Sequence, residues 1–198
     1  MAVEISPPPK SPFAAFLTPP NQLTAARFLL SIGLFVFIAF EQWPWCFGLF
    51  VLAAITDWLD GYLARKLDLG STLGRNLDPL VDKILVCGAF TFLIPFPEAA
   101  ITPWIATIVV TRELVVTTLR SFIENRGGNF GAAWPGKLKM VLQCATLLAI
   151  FAYLEVRHME AFAWGWLLRD FLIYAMTGVT VLSGLQYLWR AVALLRED

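Results

Sequence analysis

Four aspartates interrupt stretches of sequence that are otherwise apolar. Asp57 and Asp60 stand three residues apart near the end of one stretch, and Asp78 and Asp82 four apart near the start of the next. On a helix those spacings place each pair on a single face. An aspartate at the centre of a membrane helix costs about 2.5–3.5 kcal/mol, so four of them require a compensating charge. Carboxylates converging from two adjacent helices offer hard oxygen ligands, the donor set that suits Mg²⁺ or Mn²⁺. Two such cations close together suit phosphoryl transfer, because one polarises the phosphate and the pair clamps the attacking and leaving oxygens. Simple ion pairing with Arg65, Lys66 and Lys83 is the competing explanation. Four short-armed aspartates with no glutamate among them favour a defined metal cage, as does the functional bias of intramembrane acids.

The elements that must position these acids follow from composition. Of 198 residues, 58% are hydrophobic and 15% charged, and the mean hydropathy is +0.67, which excludes a water-soluble globule. A helical span takes about 20 apolar residues. Uninterrupted apolarity predicts six spans, at residues 23–40, 44–65, 78–97, 101–123, 137–155 and 167–194, with no room left for a separate soluble domain. Trp43-Pro44, Pro95 with Pro97, and Pro135-Gly136 punctuate them. The two-residue alternation of a barrel strand is missing from the sequence, and lipid-exposed backbone must satisfy its own hydrogen bonds, so the spans are expected to be helices. The expected fold class is an all-α integral membrane protein.

Charge placement orients it. Lys10, Arg27, Arg65, Lys66, Arg75, Lys83, Arg120, Arg126, Lys137, Lys139, Arg190 and Arg196 fall at one set of span ends, whereas Arg157 and Arg169 fall at the other. The positive-inside rule then places both termini in the cytoplasm, and with them the acids, in the cell (inner) membrane. Tryptophans near span ends, such as Trp104, Trp164 and Trp189, fit interfacial anchoring. Lys plus Arg equals Asp plus Glu at 15 each, which gives no reason to expect a nucleic acid partner. Cys46, Cys87 and Cys144 lie in apolar runs and read as small hydrophobes. No charged segment with a small-residue cleavage signature precedes the first span, so no cleaved signal peptide is expected. Residues 1–20 are expected to form a cytoplasmic segment and 21–198 the membrane domain.

Small residues sharpen the site. Gly61 follows Asp60, Gly74 lies four residues before Asp78, and Ala64 keeps the same face thin, so a ligand or another helix can approach the backbone. Arg65, four residues after Gly61, can reach over the cleared patch toward a phosphate or a base, or can snorkel to the interface. In order, the residues read Asp57, two residues, Asp60-Gly61, two residues, Ala64-Arg65, eight residues, Gly74, three residues, Asp78, three residues, Asp82. This resembles, position for position, the signature of the CDP-alcohol phosphotransferase family.

The resemblance implies a six-helix membrane enzyme with a binuclear centre of two divalent cations. Such an enzyme moves a substituted phosphate from a CDP-linked donor to an alcohol and releases CMP. It implies that Asp57, Asp60, Asp78 and Asp82 hold the metals and that Asp82 is also the catalytic base. It implies nucleotide contacts from Gly61, Ala64, Arg65, Ser71 and Gly74, and from Asn21 and Thr24 at the opening of the first span. Capping of the first helix is the plainer role for Asn21. The family also suggests a homodimer.

The acceptor is set by a second group of charges. Arg112 and Glu113 sit in the middle of the fourth span and Arg120 eight residues after Arg112, while Lys137 and Lys139 open the fifth. A cluster of Arg112, Arg120, Lys137 and Lys139 suits an acceptor that itself carries a phosphate, although the two lysines also serve as orientation signals. The resemblance, which is strongest over the first five spans, implies CDP-diacylglycerol as donor, with its acyl chains in membrane lipid, and glycerol 3-phosphate as acceptor. Inositol phosphate, serine or phosphatidylglycerol would use the same chemistry. A divalent-cation channel or transporter is the alternative of another class, but a filter has no use for Gly61, Ala64, Arg65 and Gly74 at these spacings.

Overall fold

The computed structural model describes residues 19–67, 72–125, 134–159 and 164–196. For residues 19–21, 58–67, 72–78, 124–125, 134–137 and 194–196 it describes the backbone path and not the side chains. Among the described residues there are six α-helices: α1 (Pro19–Ala39), α2 (Trp43–Leu67), α3 (Thr72–Phe92), α4 (Pro103–Asn125), α5 (Trp134–Val156) and α6 (Gly165–Arg196). A single 3₁₀ turn, Pro97–Ala99, separates α3 from α4.

Five of the six follow the expected spans to within a few residues. The exception is α3, expected over 78–97, which begins at Thr72 and ends at Phe92. Its first turns are polar, so apolarity alone starts it late. At its other end, Pro95 and Pro97 have no N–H to continue the ladder, and the chain closes instead with Phe96 N–H donating to the Leu93 carbonyl. The expected linker from Lys66 to Leu77 is correspondingly shorter, because Lys66 belongs to α2 and Thr72–Leu77 to α3.

Three helices, α1, α5 and α6, contain segments long and apolar enough to cross a membrane, and α2 adds a shorter apolar stretch, Trp43–Asp57. The expected six spans correspond to six helices, but among the described residues only α1, α5 and α6 reach that apolarity, and α3 and α4 carry charge into the bundle: Asp82 and Lys83 on one, Arg112 and Glu113 on the other.

The surface differs from that of a soluble protein, while the core is apolar in both. Large apolar side chains face outward, with Trp104, Trp164 and Trp189 each at least three-quarters exposed, while Thr24, Arg27, Ser31, Glu113, Lys139, Gln143, Thr146 and Ser183 are buried. A lipid solvent produces this distribution, since apolar surface costs nothing there and polar groups must find partners inside.

Helix α1 packs on α2 and α3, α6 on α5 and α4, and α2 on α5, closing the bundle around Leu34, Phe50, Phe90, Leu147 and Phe151. Contact between α1 and α3 is close enough that any Cβ at Gly88 would overlap the Phe35 ring, which stacks on Phe92 at 4.9 Å.

The end of the bundle remote from the acids is tied by side chains. Trp43 meets Phe96 edge to face at 5.2 Å. Arg169 bonds Asp170 and the Glu98 carbonyl and lies 4.4 Å from the centre of the Tyr153 ring. Arg169 is therefore a packing element as well as a charge at that end.

Candidate active site

At the opposite end, α1, α2 and α3 bring three charged side chains to one point. Arg27 is fully buried on α1, and its Nη1 lies 2.9 Å from Asp57 Oδ1 on α2 and 2.7 Å from Asp82 Oδ1 on α3. Two carboxylate oxygens from different helices thus address the same positive charge. Ser31 secures the α1 backbone here by donating to the Arg27 carbonyl at 2.8 Å. Pro79 sits within α3 between Asp78 and Asp82. Lacking an N–H, it removes one intrahelical hydrogen bond from the turn that carries Asp78.

This answers part of the expectation for the four acids. Asp57 and Asp82 come together from adjacent helices, and among the described side chains the cation between them is Arg27. Asp60 and Asp78 lie on the same two helices, but their side chains are outside the described residues. The same holds for Asn21, Gly61, Ala64, Arg65, Gly74 and Lys137, and Ser71 lies outside altogether. Thr24 is buried on α1, three residues before Arg27. Among the described residues no three acids, histidines or cysteines group as a metal cluster. The donor chemistry nonetheless fits a divalent cation, because two hard oxygens from separate helices already hold a unit of positive charge in a buried place.

Beside Asp82 a cavity of about 170 Å³ opens between α3, α4 and α5, with Asp82, Lys83, Glu113, Lys139 and Gln143 as its polar lining. Lys139 and Glu113 form a buried ion pair. Arg112 Nη1 approaches the same Glu113 oxygen at 3.3 Å, so two cations share one carboxylate and the trio keeps a net positive charge. Arg112 then turns toward α6, where its Nε donates to Ser183 Oγ at 3.2 Å and its guanidinium lies 5.6 Å from the centre of the Tyr187 ring. Gly184 makes room for it, since a Cβ there would stand 3.3 Å from Arg112 Cγ.

Of the predicted acceptor cluster, Arg112 and Lys139 therefore meet through Glu113, and Lys139 lines the cavity. Arg112 instead lines a larger, mainly apolar groove of about 300 Å³ between α4 and α6. Arg120 lies two turns further along α4 and is exposed. The sequence does not by itself give three contacts of this region: Arg27 marks a span end and follows the Asn21–Thr24 opening, Glu113 neighbours Arg112, and Gln143 stands in an apolar run. The missed signal is a stripe: Lys139, Gln143 and Thr146 recur at four and three residues on α5, a polar face inside an apolar helix.

Comparison with known proteins places the chain among its relatives. The CDP-diacylglycerol--glycerol-3-phosphate 3-phosphatidyltransferase of Bacillus subtilis (strain 168) is 32% identical over 192 residues, spanning 87% of this chain and 96% of that protein. The protein of the same name from Haemophilus influenzae is 33% identical over 178 residues, 85% of this chain and 90% of its own length. A cardiolipin synthase (CMP-forming) of Oryza sativa subsp. japonica is 32% identical over 162 residues, covering 74% of this chain and 47% of that protein. Together with the apolar helices, these relatives make the chain a multi-pass membrane protein. Residues 17–182, which include all four aspartates and the cavity, match the CDP-alcohol phosphatidyltransferase model, and the chain belongs to that family.

Proposed function

We propose that the chain transfers the phosphatidyl group from CDP-diacylglycerol to sn-glycerol 3-phosphate, giving phosphatidylglycerophosphate and CMP. The observation that carries this reading is the small cavity lined by Asp82 and by the Lys139–Glu113 pair, whose carboxylate Arg112 also reaches from outside the cavity. An alcohol that also bears a phosphate matches both features at once. Its hydroxyl needs a base and its anion needs a cation.

In this reading Asp82 accepts the proton of the acceptor's primary hydroxyl. The oxygen so released bonds to the β-phosphorus that carries diacylglycerol. The bond from that phosphorus to the bridging oxygen breaks, and its electron pair leaves with CMP. Arg112, Arg120, Lys137 and Lys139 draw in and orient the acceptor's phosphate. Asn21, Thr24, Gly61, Ala64, Arg65, Ser71 and Gly74 hold the nucleotide, with the acyl chains in lipid. Asp57, Asp60, Asp78 and Asp82 would hold two divalent cations, Mg²⁺ or Mn²⁺, which when bound neutralise the diphosphate and the leaving CMP. All six helices cross the cell (inner) membrane, residues 1–20 and the C-terminus are cytoplasmic, the site opens to the cytoplasm, and the enzyme is a homodimer.

Phosphatidylglycerol as acceptor is the reading nearest to the cardiolipin synthase relative. Purified protein offered CDP-diacylglycerol with glycerol 3-phosphate, inositol phosphate, serine or phosphatidylglycerol in turn tests the choice. CMP release with glycerol 3-phosphate is expected. Release with serine or phosphatidylglycerol and none with glycerol 3-phosphate would overturn it.

A further inference from the structure

The cavity beside Asp82 contains a polar side chain that the reaction as proposed leaves unused. Gln143 is 2% exposed and lines the cavity from α5, one turn after Lys139. Its Nε2 is buried and has no hydrogen-bond partner among the described residues. An amide donor buried without a partner costs about 1–3 kcal/mol, so its retention points to an oxygen supplied from outside the chain. The space is small: about 170 Å³ is room for roughly five waters, and neither a nucleotide nor a lipid tail fits. Whatever completes the amide is a compact polar solute.

The lining also brings three functional groups to one cavity. Asp82 lies on α3 and Lys139 on α5, and Gln143 shares the inward face of α5 with Lys139. An acceptor with its reacting hydroxyl at Asp82 and its phosphate at the cations places its middle carbon between them. A carboxamide both donates and accepts, and among neutral groups a hydroxyl answers it in both senses. We propose that Gln143 is a specificity-determining residue that reads the acceptor's second, non-reacting hydroxyl, so that the enzyme selects a polyol phosphate over a simple alkanol phosphate. The inference rests on the proposed acceptor reading.

The test compares kcat/KM for CMP release with glycerol 3-phosphate and with 3-hydroxypropyl phosphate, which keeps the phosphate and the primary hydroxyl and lacks the middle one. The wild-type protein is expected to prefer glycerol 3-phosphate by about 10- to 100-fold. In Gln143→Met, which keeps an unbranched side chain of similar size, and in Gln143→Leu, that preference should collapse toward one. A parallel loss for both acceptors, or an unchanged preference, would overturn the proposal by reducing Gln143 to a packing role. Should neither variant accumulate in the membrane, the wild-type preference still decides, because a ratio near one overturns the proposal on its own. CMP release with neither acceptor would instead sink the acceptor reading beneath it, so the two failures are told apart.

Discussion

Removing the positive charge of Arg27 should make the fold depend on added metal. Arg27→Gln keeps a hydrogen-bonding side chain on α1 and deletes the guanidinium that Asp57 and Asp82 share at 2.9 and 2.7 Å. At an effective dielectric of about 20, unit charges about 4 Å apart attract by roughly 4 kcal/mol, and much of that for two pairs is offset by desolvating a fully buried arginine. Deleting one partner of a buried ion pair costs about 3–5 kcal/mol. The Asp57 and Asp82 side chains are 41% and 25% exposed, so water screens the charges left behind and the low end, about 3 kcal/mol, is expected. For a chain of this length that lowers the melting temperature by about 6–12 °C. The comparison is made on purified protein in detergent, in chelator and then with saturating Mg²⁺ or Mn²⁺. If these carboxylates are metal ligands, the dication supplies the missing charge, and the gap between variant and wild type should shrink by more than half. A gap of equal size in chelator and in metal would refute the placement of Asp57 and Asp82 at a metal site. No destabilisation in chelator would refute the role given to Arg27.

Asp82→Asn keeps the shape of the side chain and removes its basicity, and should lower CMP release by about 10²- to 10⁴-fold or more while the protein still accumulates in the membrane; near-normal turnover would remove Asp82 as base. Arg112→Ala should chiefly raise the apparent KM for glycerol 3-phosphate, by about 10-fold or more for a lost charged hydrogen bond, and an unchanged KM would shift the phosphate site toward Lys83 and Lys139. Gly88→Ala should destabilise the protein by about 1–3 kcal/mol through overlap with Phe35. Trimming that ring in a Gly88→Ala, Phe35→Leu double variant should recover part of the loss, as read by thermal unfolding.

Much of the frame was legible because lipid imposes a simple rule on sequence. Helices α1, α2, α5 and α6 begin and end within a few residues of the apolar runs that announce them, since their outward faces must be apolar whatever lies inside. The approach of Asp57 to Asp82 was legible for a different reason: a short linker joins the two helices that carry them, so the end of one lies beside the start of the next. What spacing could not give was the identity of the intervening cation. Lys66 and Lys83 are nearer in sequence than Arg27, which lies 30 positions before Asp57 on a separate helix, and only the packing of α1 on α2 and α3 brings it in. Arg112 shows the same limit. Its position inside the bundle was foreseeable, but not its turn toward Ser183 and Tyr187, which depends on the space left by Gly184.

The helices that hydropathy reads least well are those that carry the chemistry. Helix α3 brings Asp82 and Lys83 to the cavity and α4 brings Glu113, and neither reaches the apolarity of α1, α5 or α6. That deficit follows from function. A site that moves a charged phosphate within a bilayer must keep cations and carboxylates below the lipid surface, and each must be matched by another charge to be tolerated. The observed matches, Arg27 with Asp57 and Asp82, and Glu113 with Lys139 and Arg112, join five different helices in two groups. Asp82 links those groups, because it bonds Arg27 on one side and lines the cavity with Glu113 and Lys139 on the other. A single carboxylate therefore joins the two charge groups, and in the proposed reaction, with the donor at one and the acceptor at the other, that is where an in-line transfer requires its base.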